Sequence, residues 1–293
     1  MHISEIHIRD PFIVRDEDSC YLFGTIGKAC WGGKAEGFNV YKSCGDLENF
    51  EGPFPAFRPP ENFWSETQFW APEVHQFNGC WYIFASFLVT GGRRGTAILK
   101  STGKVEGPYV PWSDGPVTPK EWECLDGTLY IDKDGKPWMV FCHEWLQTID
   151  GEVCLMPLAE DFKTSAGKAS LLFRASDAPW AAMNKDYRHS GYVTDGPFVY
   201  TAKNGNLLML WSSFGSNGNY CIGLAVSESG NIFGPWKQQK APLYSTDGGH
   251  GMIFKNRDGR IFLAIHRPNN SPNERPVFLE MHEEGGLIFP VER

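Results

Sequence analysis

The apolar positions fall in short runs, five pairs of which share one grammar: a polar residue, an apolar strand, a tight turn, and a second, more strongly apolar strand. The segments are "RDPFIVRDEDSCYLFGT", "APEVHQFNGCWYIFASF", "LDGTLYIDKDGKPWMVF", "TDGPFVYTAKNGNLLMLW" and "GHGMIFKNRDGRIFLAI". Asn-Gly, Asp-Gly or a related turn joins the two runs of each, which is the signature of a β-hairpin. The leading polar residues are Asp10, Glu73, Asp126, Asp195 and His250. They recur about every 50–70 residues, the size of a propeller blade.

A second repeat is interleaved with the first. "YKSCGDLENFEGPF", "LKSTGKVEGPY" and "AVSESGNIFGPW" each place Gly-Pro-aromatic after a Ser-containing strand end, and "LAEDFKTSAGKASLLF" is a diverged copy. This predicts a third strand turning into a fourth. The two repeats together predict an all-β fold, a five-bladed β-propeller with four antiparallel strands per blade, whose radial repetition protects the strand edges. A β-sandwich or a two-domain β protein would not interleave two motifs in this way. With no linker or low-complexity stretch, residues 1–293 are expected to form a single domain.

Composition agrees with a strand-and-turn protein: 14% of the 293 residues are aromatic, with 32 Gly and 20 Pro. The formal charge of -8, with no basic run, disfavours nucleic acid and anionic membranes as partners. The eight cysteines are scattered without a CxxC pair and read as reduced. No basic segment followed by an apolar stretch opens the sequence and no run reaches transmembrane length, so the expectation is a cytoplasmic protein.

In a propeller the first strand of each blade lines the central channel, so the five leading residues should converge at one mouth, the expected active site. The second strands should end there too, bringing "FGT", "ASF", "CHEW", "SSF" and "HRP". Asp-Gly is also ordinary turn chemistry. This chain, however, uses Asp134-Gly135 and Asp258-Gly259 as hairpin turns, while Asp126-Gly127 and Asp195-Gly196 lie at the opposite strand ends. Capping explains one such acid but not four in register, and buried like charges are costly unless a proton, a cation or a function resolves them.

"RDPFI", "WAPEV", "LDGTLYIDKDGKPWMVF", the acid-Gly-Pro of "TDGPF" and "GHG" resemble, in order and spacing over nearly the whole chain, the blade-opening motifs of glycoside hydrolase family 43. The resemblance implies an inverting glycosidase that hydrolyses terminal or internal arabinosyl, xylosyl or galactosyl linkages, releasing arabinofuranosyl, galactofuranosyl or xylosyl units from oligosaccharides, and that requires no cofactor. It further implies Asp10 as general base, Asp126 as the carboxylate that tunes the acid, and His250 as an axial histidine near a structural calcium ion or water. Arg267 is similar to the arginine that contacts the innermost sugar. The chain departs from the family at the acid, where Asp195 stands in place of the usual glutamate.

Two candidates for the acid therefore stay open, Asp195 by position and Glu144 of "FCHEW" by reach. Glu73, Trp70, Trp145 and Phe214 are candidates for holding sugar, and Trp31, Phe69 and Trp180 are further aromatics near the expected mouth. Two other functions are compatible with the missing glutamate: a catalytically silent carbohydrate-binding propeller, and a fructan-type retaining hydrolase. The latter usually opens Asn-Asp-Pro, whereas here Arg9 precedes Asp10.

Overall fold

The computed structural model describes residues 1–27, 30–44, 46–185 and 189–291. Among these, five four-stranded antiparallel sheets follow one another along the chain. Blade 1 comprises β1 (Ile8–Asp16), β2 (Ser19–Ile26), β3 (Phe38–Ser43) and β4 (Glu51–Phe57), and blade 2 comprises β5 (Ser65–Phe77), β6 (Cys80–Val89), β7 (Arg94–Lys104) and β8 (Gly107–Pro111). Blade 3 contains β9 (Cys124–Ile131), β10 (Pro137–His143), β11 (Glu152–Pro157) and β12 (Ser170–Arg174), with a one-turn helix, α1 (Trp145–Thr148), after β10. The two-residue strands β13 (Asn184–Lys185) and β14 (Ser190–Gly191) pair on the way to blade 4, which is β15 (Asp195–Thr201), β16 (Leu207–Phe214), β17 (Tyr220–Ser227) and β18 (Trp236–Gln238). Blade 5 is β19 (Gly249–Lys255), β20 (Ile261–Arg267), β21 (Arg275–Glu284) and β22 (Leu287–Pro290), and it packs against blade 1 to close the ring.

Both repeats have physical causes. The hairpin turns place Gly79, Gly135, Gly205 and Gly259 at positive φ, the conformation that glycine adopts at no steric cost. In the Gly-Pro repeat, a serine at or near the end of the third strand donates its hydroxyl to a carbonyl three or four residues on: Ser43 to Asp46, Ser101 to Lys104, and Ser227 to Asn231. The aromatic residue then folds back, Tyr109 Oη donating to the Val105 carbonyl at 2.6 Å and Trp236 Nε1 to the Ile232 carbonyl at 3.0 Å.

The core lies between blades. Phe38, Phe57, Phe69 and Phe87 pack in tilted and edge-to-face pairs between blades 1 and 2, with Phe69 and Phe87 4.8 Å apart. Trp211, fully buried in blade 4, packs on Trp180 at 5.0 Å and Phe173 at 5.5 Å. Phe69 and Trp180 are thus core residues and not sugar platforms, because their faces are taken by other rings.

Candidate active site

Every channel strand carries a β-bulge at the same place. The register shifts between Arg9 and Phe12, between Trp70 and Glu73, between Leu125 and Thr128, between Asp195 and Phe198, and between Gly249 and Met252. The extra residue sits in the left-handed region: Asp10 at φ 50°, Ala71 at 46°, Asp126 at 57°, Gly196 at 50° and His250 at 51°. A bulge re-aims the side chain it carries, and aspartate and glycine tolerate this conformation better than most residues. The equivalent positions are therefore Asp10, Ala71, Asp126, Gly196 and His250. This corrects the leading-residue pattern at two blades: Asp195 lies one residue before the bulge, in register with Ser212. Glu73 lies two residues after it, away from the mouth, where its carboxylate meets His75 Nε2 at 3.1 Å.

The bulge amides form a ring of hydrogen bonds, each held by the preceding blade. Ala71 N–H donates to Thr25 Oγ1 at 2.7 Å, Asp126 N–H to Ser86 Oγ at 2.8 Å, and His250 N–H to Ser212 Oγ at 2.9 Å. At blade 3, Cys142 occupies the corresponding second-strand position, and the Asp126 carboxylate itself accepts from Gly196 N–H at 2.9 Å. His266 Nδ1 closes the ring by accepting from Asp10 N–H at 3.2 Å. Arg9 fixes the tautomer: its Nη2 donates to Asn269 Oδ1 at 2.7 Å, so His266 Nε2, 3.2 Å from that oxygen, carries the proton and Nδ1 is left to accept.

Three bulge side chains converge. His250 Nδ1 lies 3.3 Å from Asp10 Oδ1 and 3.6 Å from Asp126 Oδ2, and Thr25 Oγ1 donates to Asp10 Oδ2 at 2.6 Å. Burial alone would push the Asp10 carboxyl up, but the charge of His250, the contact with His266 Nδ1 at 3.3 Å and the charge of Arg9 outweigh it and hold Asp10 well below the usual carboxylate range. Burial likewise would lower His250, but Asp10, Asp126, Glu73 and Asp195 outweigh it and raise it above the ordinary imidazole value. His266 is pushed down by burial, with Arg9 adding, and stays neutral.

Asp126 and Asp195 shift the other way. Burial raises Asp126, and the charges of Asp10 and Glu73 add to it against His250 and the Gly196 amide. Burial also raises Asp195, helped by Asp126 and Asp10 and opposed by Tyr220, whose hydroxyl donates to Asp195 Oδ2 at 2.9 Å. The Tyr220 ring stacks on His266 and presses against Gly249, where any Cβ would come within 2.3 Å of it.

A second buried cluster adjoins the first. Arg94 Nη1 bonds Glu144 Oε2 at 2.5 Å, its Nη2 donates to Gln68 Oε1 at 2.7 Å, and its guanidinium lies 4.1 Å over Trp70. Burial, with Asp195 adding and Arg94 opposing, pushes Glu144 up to about 7. Phe214 packs beside Tyr220 at 5.4 Å, Trp31 is 59% exposed next to Trp70, and Arg267 ends β20 exposed. Trp145 does not crown a strand: it opens α1 and meets the edge of His189 at 6.4 Å.

The buried arginines and Tyr220 were not singled out by sequence reasoning, whereas Thr25 and His266 were reached only as members of "FGT" and "HRP". Arg9 was adjacent to a recognised acid, but its partners Glu274 and Asn269 are distant in the chain.

The Glycosyl hydrolases family 43 model matches residues 3–283. The chain belongs to glycosyl hydrolase family 43. It is an O-glycosyl hydrolase. This family-43 chain is 42% identical to an endo-arabinase from Bacteroides thetaiotaomicron, covering 98% of each chain with a TM-score of 0.90. It is 22% identical to the extracellular exo-α-(1→5)-L-arabinofuranosidase of Cellvibrio japonicus, over 96% of this chain and 85% of that protein. An endo-1,4-β-xylanase from Bacteroides thetaiotaomicron, 22% identical with a TM-score of 0.76 over 98% of this chain and 95% of that one, shares the fold.

The channel donors of the family-43 chain do not fit a calcium ion held directly by protein. Calcium takes six to eight oxygen ligands, whereas among the described residues no three His, Cys, Asp or Glu side chains converge as ligands, and the His250 ring lies between Asp10 and Asp126.

Proposed function

We propose that this family-43 hydrolase cleaves α-linked L-arabinofuranosyl units from arabino-oligosaccharides with inversion at the anomeric carbon. The names of its 42%-identical structural relative and of its curated relative support the sugar. The mechanism rests on one observation: the environments of Asp10 and Asp195 push their protonation in opposite directions. Such a divergence assigns base and acid.

Asp10 stays ionised and takes a proton from the attacking water as its oxygen bonds to the anomeric carbon. Asp195, kept protonated by burial and by Asp126, donates to the departing glycosidic oxygen. Tyr220, donating to Oδ2, leaves Oδ1 as the oxygen that delivers the proton. Turnover leaves Asp10 protonated and Asp195 ionised, and exchange with solvent restores both. Glu144 is held by Arg94 as the neighbour of the acid, not as the acid itself.

Comparing Asp195→Ala with Glu144→Ala on an aryl arabinofuranoside and on arabinotriose tests the assignment. Loss of the acid costs about 10²–10⁴-fold on the natural linkage and much less on the good leaving group. Glu144→Ala showing that split, with Asp195→Ala near wild type, would reverse the roles. Proton NMR of the first-formed sugar reports the anomer, and retained configuration would sink the inverting mechanism.

A further inference from the structure

Two cavities outside the channel adjoin along the boundary of blades 2 and 3. One, of about 320 Å³, reaches from Arg94 and Trp64 toward the loop before β9; the other, of about 520 Å³, continues from that loop to the loop before β12. They share Pro116, Thr118, Pro119, Lys120 and Trp122. The groove thus begins at the partner of Glu144 and runs outward.

Its two compartments offer different chemistry. Of the five buried side-chain polar atoms without a hydrogen-bond partner among the described residues, Arg94 Nε and Trp64 Nε1 belong to residues lining the inner compartment. Both atoms are closed off from the groove itself, and the Arg94 guanidinium is already bonded to Glu144 and Gln68, so the inner compartment offers a mainly apolar wall. The outer compartment is lined by Lys120, Lys163 and Lys168 and by no acid. None of the three lysines belongs to an ion pair among the described residues, and Lys163 is held 4.5 Å over the Trp112 ring. Trp122, lining both compartments, has one face stacked on His143 at 4.2 Å, which leaves its other face and edge to the groove. In a chain of net charge -8, three unopposed cations beside an aromatic face mark a site for an oxygen-rich anion.

We infer that this groove binds the continuing part of the substrate, a saccharide chain bearing anionic groups, uronate carboxylates or sulfate esters. Its sugar rings lie along Trp122, which lines both compartments, and its anions meet the three lysines. The inference rests on the proposed glycosidase reading for the end of the chain that is cleaved.

The test uses the K120A/K163A/K168A variant and, separately, Trp64→Phe, with neutral, uronate-bearing and sulfated arabino-oligosaccharides of equal length. For the lysine variant KM on the anionic substrates rises about tenfold at low salt while kcat, and all activity on an aryl arabinofuranoside, stays at wild type. High salt abolishes the difference. Trp64→Phe, which removes an indole N–H closed to the groove, is the control and leaves KM on all three substrates unchanged. Whichever anion shows the larger effect identifies the source. Unchanged KM on both anionic substrates, or equal loss on the neutral one, overturns the lysine assignment. Calorimetric binding of the same oligosaccharides keeps the two readings apart: groove binding lost in the variant supports the site even if aryl arabinofuranoside is not turned over, a result that would sink only the proposed activity.

Discussion

Tyr220 donates its hydroxyl to Asp195 Oδ2 at 2.9 Å, so the residue in the acid position is held by a group that favours its ionised form. A general acid works only while protonated, so kcat/KM falls as pH rises through the Asp195 pKa. Tyr220→Phe removes the donor and raises that pKa, shifting the alkaline limb upward by about one pH unit. An unmoved limb in the pH–rate profile would assign it to another group, Glu144 first.

Stability should fall as pH rises across the neutral range. Asp126 and Asp195 are raised from 3.8, Glu144 from 4.5 to about 7, and His250 from 6.5. Each raised group contributes stability fully present below its unfolded pKa and lost as pH climbs through its folded pKa. Asp10, depressed from 3.8, runs oppositely: its contribution is present above that value and lost only in stronger acid. Thermal midpoints measured from about pH 5 to pH 8 should therefore decline, and Asp195→Asn should flatten the slope. A midpoint that climbs over this range would contradict the buried, protonated carboxyls.

Thr25 serves two partners, donating to Asp10 and accepting from the Ala71 amide. Thr25→Val keeps the shape and removes both bonds, costing about 1–3 kcal/mol in denaturant unfolding. It also frees Asp10 to tilt, so kcat falls by about tenfold or more with KM nearly unchanged. Thr25→Ser restores both bonds and should restore kcat; failure of that rescue would mean packing, not the hydroxyl, is what matters.

Gly196 has φ +50°, and a Cβ there would lie 2.8 Å from the His250 ring. Gly196→Ala should cost about 1–3 kcal/mol and depress activity by displacing the His250 ring from Asp10. Gly79→Ala is the control, because its φ is also positive but nothing lies within 4 Å of the added carbon. It should cost only about 1 kcal/mol and leave kcat intact. Equal effects of the two on kcat would show that strain alone, without the contact to His250, explains the loss.

The hairpins, the Gly-Pro repeat and the convergence of Asp10, Asp126 and His250 were legible because each repeats a local chemical requirement. The register of blades 2 and 4 was not. A bulge adds a residue to a period-two pattern, and at those blades the bulged residues are Ala71 and Gly196, which carry no polar signal, so the eye settles on Glu73 and Asp195 instead. Arg94 was hidden for another reason: its partners Glu144, Gln68 and Trp70 come from two blades, and nothing in "GGRRGTAIL" distinguishes it from the exposed Arg93 beside it.

The ring of bulge amides has no first member. Each blade supplies the acceptor that aims the next blade's residue, and His266 does this for Asp10 across the one junction where successive blades are not joined by the chain. Moving the chain ends to another blade boundary would preserve all five aims. Losing a blade would break two of them, adding one would break one, and either would reset the angles of the rest, which makes blade number the feature of this enzyme least free to drift, while its outer strands and loops can diverge.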